Sequence, residues 1–263
     1  MPSLLCLDIG NTHTHYGVVG PAGAEAVAEV PTPALDDPAA GFGAQLTRLH
    51  AENPALAGVA FCSVVPAASP HLRRVLAAAV PALRVFQLTH ECQLGVPISY
   101  PLPEEIGQDR LANTAAAHAL VGSPSVVIDL GTAVTLEIVT TRGGFEGGII
   151  APGLAVMRHY LHERTAQLPE LDDSLTVTRA IGRSTAEAMR IGTVVGFQGM
   201  IQALLDAVLA DLAARGEPAP AILATGGCAD LLLDRLRPTV RIVPDLTLRG
   251  LAAAWALNFS AGK

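Results

Sequence analysis

Lysine is almost absent from this 263-residue chain: Lys263 is the only one, and every other cationic side chain that is fixed in charge is arginine. That absence excludes several chemistries at once. A Walker-type phosphate loop needs its lysine beside the phosphates, a protein kinase needs a strand lysine, and a Schiff-base enzyme needs a lysine nucleophile. Aromatic residues make up only 4% of the chain while half of it is hydrophobic, so a sizeable core has to be built from Ala, Val, Leu and Ile, which suits helices packed on sheets. Cysteine is sparse as well. Cys6, Cys62, Cys92 and Cys228 lie far apart, with no Cys-x-x-Cys pair and no histidine at zinc-finger spacing, and read as reduced thiols of a cytoplasmic protein. The net charge of −7 argues against nucleic acid as a partner, since clustered Lys and Arg would be needed to hold many phosphates. No basic leader precedes Asp8, and the uncharged stretch from Leu111 to Ile128 is interrupted by Asn113, His118, Gly122, Ser123 and Pro124. The expectation is therefore a soluble protein without a membrane partner.

What is present is a partial repeat. Leu4 to Leu7 is an apolar run that ends in Asp8-Ile9-Gly10-Asn11-Thr12; far downstream, Val126-Val127-Ile128 ends in Asp129-Leu130-Gly131-Thr132-Ala133. Each copy offers a buried strand, a carboxylate at its tip, and a glycine with small hydroxyl residues whose amides can approach an anion. An ordinary hairpin turn also uses Gly and Asn, but two unrelated turns have no reason to match. Asp8 suits a magnesium ion carried on phosphate, and Gly10, Asn11 and Thr12 supply amide and hydroxyl donors. Thr225-Gly226-Gly227 is a third glycine-rich strand end, suited to packing against a base or ribose, although a lone Gly-Gly is more often a loop.

Around these motifs the pattern alternates. Leu4 to Val19 reads as a hairpin, Val59 to Val65 as a strand, His71 to Val80 as a helix, and Pro97 to Pro103 as a loop. Gly107-Gln108-Asp109-Arg110 opens a helix running to about Val121. The pattern then restarts with strands to Asp129, through Leu136 to Val139, and around Gly147 to Ile150. Ser184 to Arg215 reads as a long helix opened by a capping box, Ser184 with Glu187, and carries Gly192, Gly196 and Gly199 where another helix or subunit could approach. Ala221 to Ala224 is a short strand and Arg249 to Asn258 a final helix, with Trp255 in the core. The fold expected is α/β, two related halves of residues 1–117 and 118–263 with ligand in a cleft between them.

Phosphoryl transfer also needs an acceptor and a group to orient it. Asp109 could accept a hydroxyl proton while Arg110 offers a planar fork to a carboxylate; equally, an Asp at this position could cap the helix beside a solvated Arg. His13 and His15 either edge the phosphate site or sit on the hairpin surface, and His159 and His162 read as exposed side chains.

The three glycine-rich elements in this order resemble the two phosphate motifs and the adenosine motif of the actin-like, sugar-kinase and Hsp70 ATPase superfamily, whose domains are ribonuclease H-like. The ordered set Asp8-Ile9-Gly10-Asn11-Thr12, Gly107-Gln108-Asp109-Arg110, Asp129-Leu130-Gly131-Thr132-Ala133, Glu146-Gly147-Gly148-Ile149-Ile150-Ala151-Pro152-Gly153 and Gly182-Arg183-Ser184-Thr185 resembles the type III pantothenate kinases over essentially the whole chain. That resemblance implies transfer of the ATP γ-phosphoryl group to pantothenate. It implies ATP phosphates surrounded by Asp8, Ile9, Gly10, Asn11, Thr12, His13, Thr14 and His15, with Thr132 on the nucleotide. It further implies Asp109 as proton acceptor, Tyr100, Gly107, Gln108, Asp109 and Arg110 around pantothenate, magnesium with the ATP, and Asp129 as ligand of a potassium or ammonium ion. A homodimer with Thr185 reaching substrate across the interface completes the implied picture. The chain departs from the family pattern at Val134, where a threonine is frequent, at Glu137, where an aspartate is, and at Ser184, where an acidic residue is. The competing readings are another phosphotransferase of this fold and a noncatalytic regulator resembling the Bvg accessory factors.

Overall fold

The computed structural model describes residues 2–35, 41–172, 174–229 and 236–259, and these form two compact units. The first gathers the described residues within 1–122, 143–146 and 245–263; the second gathers 123–142 and 147–244.

In the first unit the strands β1 (Leu4–Ile9), β2 (His13–Gly20), β3 (Gly23–Pro31), β4 (Gly58–Ser63) and β5 (Arg84–Gln87) form one sheet in the order β3-β2-β1-β4-β5. β1 runs antiparallel to β2 and parallel to β4. Its period-two alternation serves two cores. Leu4 and Cys6 face a cluster with Leu111, Ala112, Leu251 and Trp255, whereas Leu5, Leu7 and Ile9 face one with Phe42, Leu46, Leu72 and Leu76. The first cluster is closed by α3 (Gln108–Val121) and α6 (Leu246–Phe259), the second by α1 (Phe42–Glu52) and α2 (Ala68–Ala79). Each fully buried leucine in these layers contributes about 2 kcal/mol of transfer free energy. The last helix thus belongs with the first sheet although it comes last in the chain, so the stretch 118–263 contributes to both units. What holds it there is close packing: a Cβ on Gly250 would strike the carbonyl of Ala112 in α3, and the buried Thr247 hydroxyl donates to Asn113 Oδ1 at 2.9 Å.

The second unit repeats the strand order with β6 (Ser125–Leu130), β7 (Ala133–Thr140), β8 (Gly144–Pro152), β9 (Ala221–Thr225) and β10 (Arg241–Ile242), arranged β10-β9-β6-β7-β8. β6 pairs antiparallel with β7 and parallel with β9, as β1 does with β2 and β4. Val126, Ile128, Leu130, Val134, Leu136 and Ile138 pack on Phe197, Ile201 and Leu205 of α5 (Thr185–Ala214), with α4 (Leu154–Arg164) adding Leu154.

The edge strand β3 has no counterpart in the sequence reading. Its Gly-Ala-Glu-Ala-Val-Ala-Glu composition favours a helix, and five successive residues, Glu25 to Glu29, are exposed. Pairing with β2 from Val19↔Ala24 to His13↔Pro31 overrides that preference.

Candidate active site

The turn after β1 is closed by the Gly10 N–H donating to His13 O at 3.0 Å, and a Cβ on Gly10 would sit 2.9 Å from that same oxygen. Glycine is therefore required for the turn to close. Across residues 8–15 the side chains sort by face: Ile9 and Thr14 are buried, Asp8 is half-buried, and Asn11, Thr12, His13 and His15 are exposed. Only backbone groups of Ile9 and Thr14 are left to meet a ligand. His15 lies 3.4 Å from Glu29, and its pKa is held down by desolvation, with Glu29 pulling the other way. Asp8 is opposite Cys62 in the β1/β4 register, and the Cys62 thiol donates to its Oδ1 at 3.2 Å.

The start of α3 is brought to the same place. Gln108 Oε1 accepts from the Ser63 N–H at 2.9 Å and from Gln87 Nε2 at 3.3 Å, which ties the helix N-terminus to the ends of β4 and β5. That amide oxygen is therefore engaged in positioning the helix. Gly107 precedes the helix as its N-cap, and a Cβ there would lie 2.5 Å from Asp109 Oδ1, so its missing side chain makes room for the carboxylate to fold back. Asp109 Oδ1 accepts the Arg110 N–H at 2.8 Å. The carboxylate therefore bonds within the first turn of the helix, while the N-cap position itself, Gly107, makes no side-chain cap bond. Burial pushes its pKa up, against the lowering effects of the Arg110 backbone bond and charge. Burial also raises the Cys62 thiol well above its ordinary value, with further contributions from the charges of both Asp8 and Asp109. One neutral thiol therefore sits within electrostatic reach of both carboxylates.

Phe145 completes this side. It is fully buried; the Arg110 guanidinium carbon lies 5.5 Å from its ring centroid and the Tyr100 ring 6.2 Å from it. Its backbone pins the 97–100 loop, donating to Pro97 O at 3.0 Å and accepting from Ser99 N at 2.9 Å. Phe145, Cys62 and Gln87 all escape the sequence reading, for each acts through a contact distant in the chain. Phe145 alone had a local signal, being the residue before Glu146-Gly147-Gly148.

In the second unit Asp129 is half-buried at the end of β6, paired with Thr135 on one side and Thr225 on the other. Gly131 N donates to Ala133 O at 3.2 Å, closing a shorter version of the first turn, and Thr132 is exposed on it. Gly153, the N-cap of α4, donates to Thr132 O at 3.1 Å, and a Cβ there would strike Thr132 O and Gly131 O. The glycine thus lets the amino-terminal end of a helix approach this turn, where its dipole and amides favour an anion. Gly226 has φ +91°, and its Cβ would meet the Leu130 backbone at 2.6 Å, so β9 ends flush against β6. Gly227 has open space around it.

Thr185 is exposed at the first position of α5, and the helix is capped without it: Ser184 Oγ accepts Glu187 N at 3.2 Å, and Glu187 Oε2 accepts Arg183 N at 2.6 Å, one residue earlier than in a reciprocal capping box. α5 is long and apolar enough to cross a membrane by length and composition, yet Phe197, Ile201, Leu205 and Leu212 make it a core helix. Its outward residues include Val195, 47% exposed, with Gly192 and Gly199 open. His162 is exposed and His159 partly so, and Trp255 lies in the core as expected.

The family model described as type III pantothenate kinase matches residues 4–207. A type III pantothenate kinase of Methylacidiphilum infernorum is 37% identical over 94% of this chain and 86% of its own length. One from a Parafrankia species is 38% identical over 97% of this chain and 98% of its own. Among solved structures, a Campylobacter jejuni protein assigned to the Baf family of transcriptional activators aligns with TM-score 0.60 at 18% identity, over 95% of this chain and 96% of that one. A ROK hexokinase from Thermus thermophilus aligns with TM-score 0.54 at 17% identity, over 99% and 100%. At such identities the structural likeness establishes the fold.

Proposed function

This chain belongs to the type III pantothenate kinase family, and from that premise we propose a role for each residue of its site. It has the actin-like ATPase fold and is a pantothenate kinase, a soluble enzyme that transfers the γ-phosphoryl group of ATP to pantothenate in the first step of coenzyme A biosynthesis. In the proposed division of labour Asp109 takes the proton from the attacking hydroxyl of pantothenate. The observation that carries this role is the position of its carboxylate: half-buried at the start of α3, raised in pKa by desolvation, and within electrostatic reach of the thiol that also holds Asp8. Arg110, its guanidinium stacked on Phe145 beside Tyr100, meets the pantothenate carboxylate. Residues 8–15 take the ATP phosphates through backbone amides and the exposed Asn11, Thr12, His13 and His15, and Thr132 contacts the nucleotide.

Among the described residues no group of three or more His, Cys, Asp or Glu side chains could enclose a metal. Single carboxylates at Asp8 and Asp129 nevertheless fit hard cations: magnesium arriving on ATP needs one or two protein carboxylates, and a monovalent ion takes carboxylate and carbonyl oxygens. Asp8 would serve the magnesium and Asp129 the potassium or ammonium. When bound, such ions neutralise phosphate charge.

The homodimer is part of the proposal, with the apolar outer face of α5 as its interface and Thr185 reaching the partner's substrate. The cytoplasm, where the four free cysteines stay reduced, is the proposed compartment.

A coupled ADP-release assay with and without pantothenate, repeated with sodium replacing potassium, tests these roles. ADP release that depends on pantothenate and falls in sodium is expected; a folded protein that turns over equally without pantothenate would remove Asp109 and Arg110 from the roles given them.

A further inference from the structure

Thr32 follows β3 and is 7% exposed, yet it touches the nucleotide turn at two points. Its N–H donates to Thr12 O at 2.9 Å and its hydroxyl donates to Gly10 O at 2.7 Å. The hydroxyl has one proton, already given to Gly10, so in its 3.1 Å contact with the fully buried Thr14 hydroxyl the donor is Thr14. A buried relay therefore runs from Thr14 through Thr32 to Gly10. In a trans peptide the C=O and the following N–H point in opposite directions. Drawing the Gly10 and Thr12 carbonyls onto Thr32 consequently turns the Asn11 and His13 N–H groups away from Thr32. Two amides held on the far side of a tight turn make an anion cradle.

We propose that Thr32 is a positioning residue for the nucleotide turn, holding these two amides in their binding orientation from the buried side. The second unit repeats half of the device. There the residue after the third strand is Gly153, whose N–H donates to Thr132 O at 3.1 Å and so turns the Ala133 N–H away from Gly153. Lacking a side chain, it has no hydroxyl link, and the first turn, one residue longer between its paired positions Ile9↔Thr14 than the second between Leu130↔Val134, is the one with the additional brace.

The proposal rests on the reading that residues 8–15 hold ATP, and the test separates the two. Steady-state kinetics and thermal melts are measured for Thr32→Val, which keeps shape and N–H but loses the hydroxyl, and Thr32→Ser, which keeps the hydroxyl. Thr32→Val should raise KM for ATP about tenfold, the change expected when a buried hydroxyl's partners are stranded, with KM for pantothenate within about twofold. Thr32→Ser should restore KM for ATP to within about twofold of the parent. If Thr32→Val does not fold, Thr14→Val, which removes only the outer link, should raise KM for ATP about threefold. A folded Thr32→Val with an unchanged KM for ATP, or one that raises both KM values equally, overturns the proposal. Asp8→Asn and Thr12→Ala are run alongside: if they raise KM for ATP and Thr32→Val does not, the brace alone is refuted, whereas if none of them does, the ATP reading falls with it.

Discussion

Replacing Asp109 by asparagine removes one charge and almost no volume from the start of α3. The side-chain amide oxygen that Asp109→Asn leaves in place can still accept the Arg110 N–H, which Asp109 takes at 2.8 Å, so the helix start survives. What is lost is the proton acceptor. General-base catalysis is worth about 10²- to 10⁴-fold, or about 2.7 to 5.4 kcal/mol of barrier at 1.36 kcal/mol per decade, so kcat should fall by that factor with both KM values changed by only a few-fold. The same substitution should not weaken the fold. Burial raises the Asp109 pKa above its ordinary 3.8, so the ionised carboxylate is less favoured in the folded chain than in the unfolded one. The folded state then holds more protons than the unfolded state across the window from 3.8 up to the raised value, and stability falls as pH rises through it. Above that window the parent bears the net desolvation cost of a half-buried charge and Asp109→Asn does not. Melting temperatures should therefore favour the variant at about pH 7, and the difference should shrink as pH is lowered toward about 4. ADP-release kinetics and thermal melts on the same preparations check both halves. Undiminished kcat in a folded variant refutes the catalytic role; a melting temperature several degrees below the parent at neutral pH refutes the argument from desolvation.

Three further outcomes follow from packing. Gly250→Ala places a methyl group against the Ala112 carbonyl and should cost about 3 kcal/mol, the upper end for overpacking, seen as a fall of roughly 6–12 °C in Tm. Phe145→Leu removes the ring under the Arg110 guanidinium and should raise KM for pantothenate about two- to fivefold with little change in KM for ATP, measured by varying each substrate in turn. Val195→Asp puts a charge on the exposed apolar side of α5 and should convert the proposed dimer to monomer in sedimentation velocity, with far-UV circular dichroism unchanged.

Much of the candidate site was legible because its parts are local. An apolar run of period two, a carboxylate at its end and a glycine in the turn are adjacent in the chain, and β1, β2, β6 and β7 formed around them. Gly107-Gln108-Asp109-Arg110 announced a helix start and is one. Ser184 announced a cap and accepts the Glu187 N–H.

The sequence by itself determined that this is an α/β protein with a repeated strand-and-turn unit, and which side chains are candidates for phosphoryl transfer, because strand periodicity, turn stereochemistry and side-chain chemistry are properties of short segments. Tertiary structure alone decided which distant residues support them. Cys62 meets Asp8 through the register of β1 on β4, Gln87 reaches Gln108 because β5 lies beyond β4, Phe145 meets Arg110 across the 97–100 loop, and Thr32 reaches Gly10 because β3 folds back on β2. The raised pKa of Asp109 belongs to the same class, since desolvation is produced by everything packed around a group and is written in no segment of the chain.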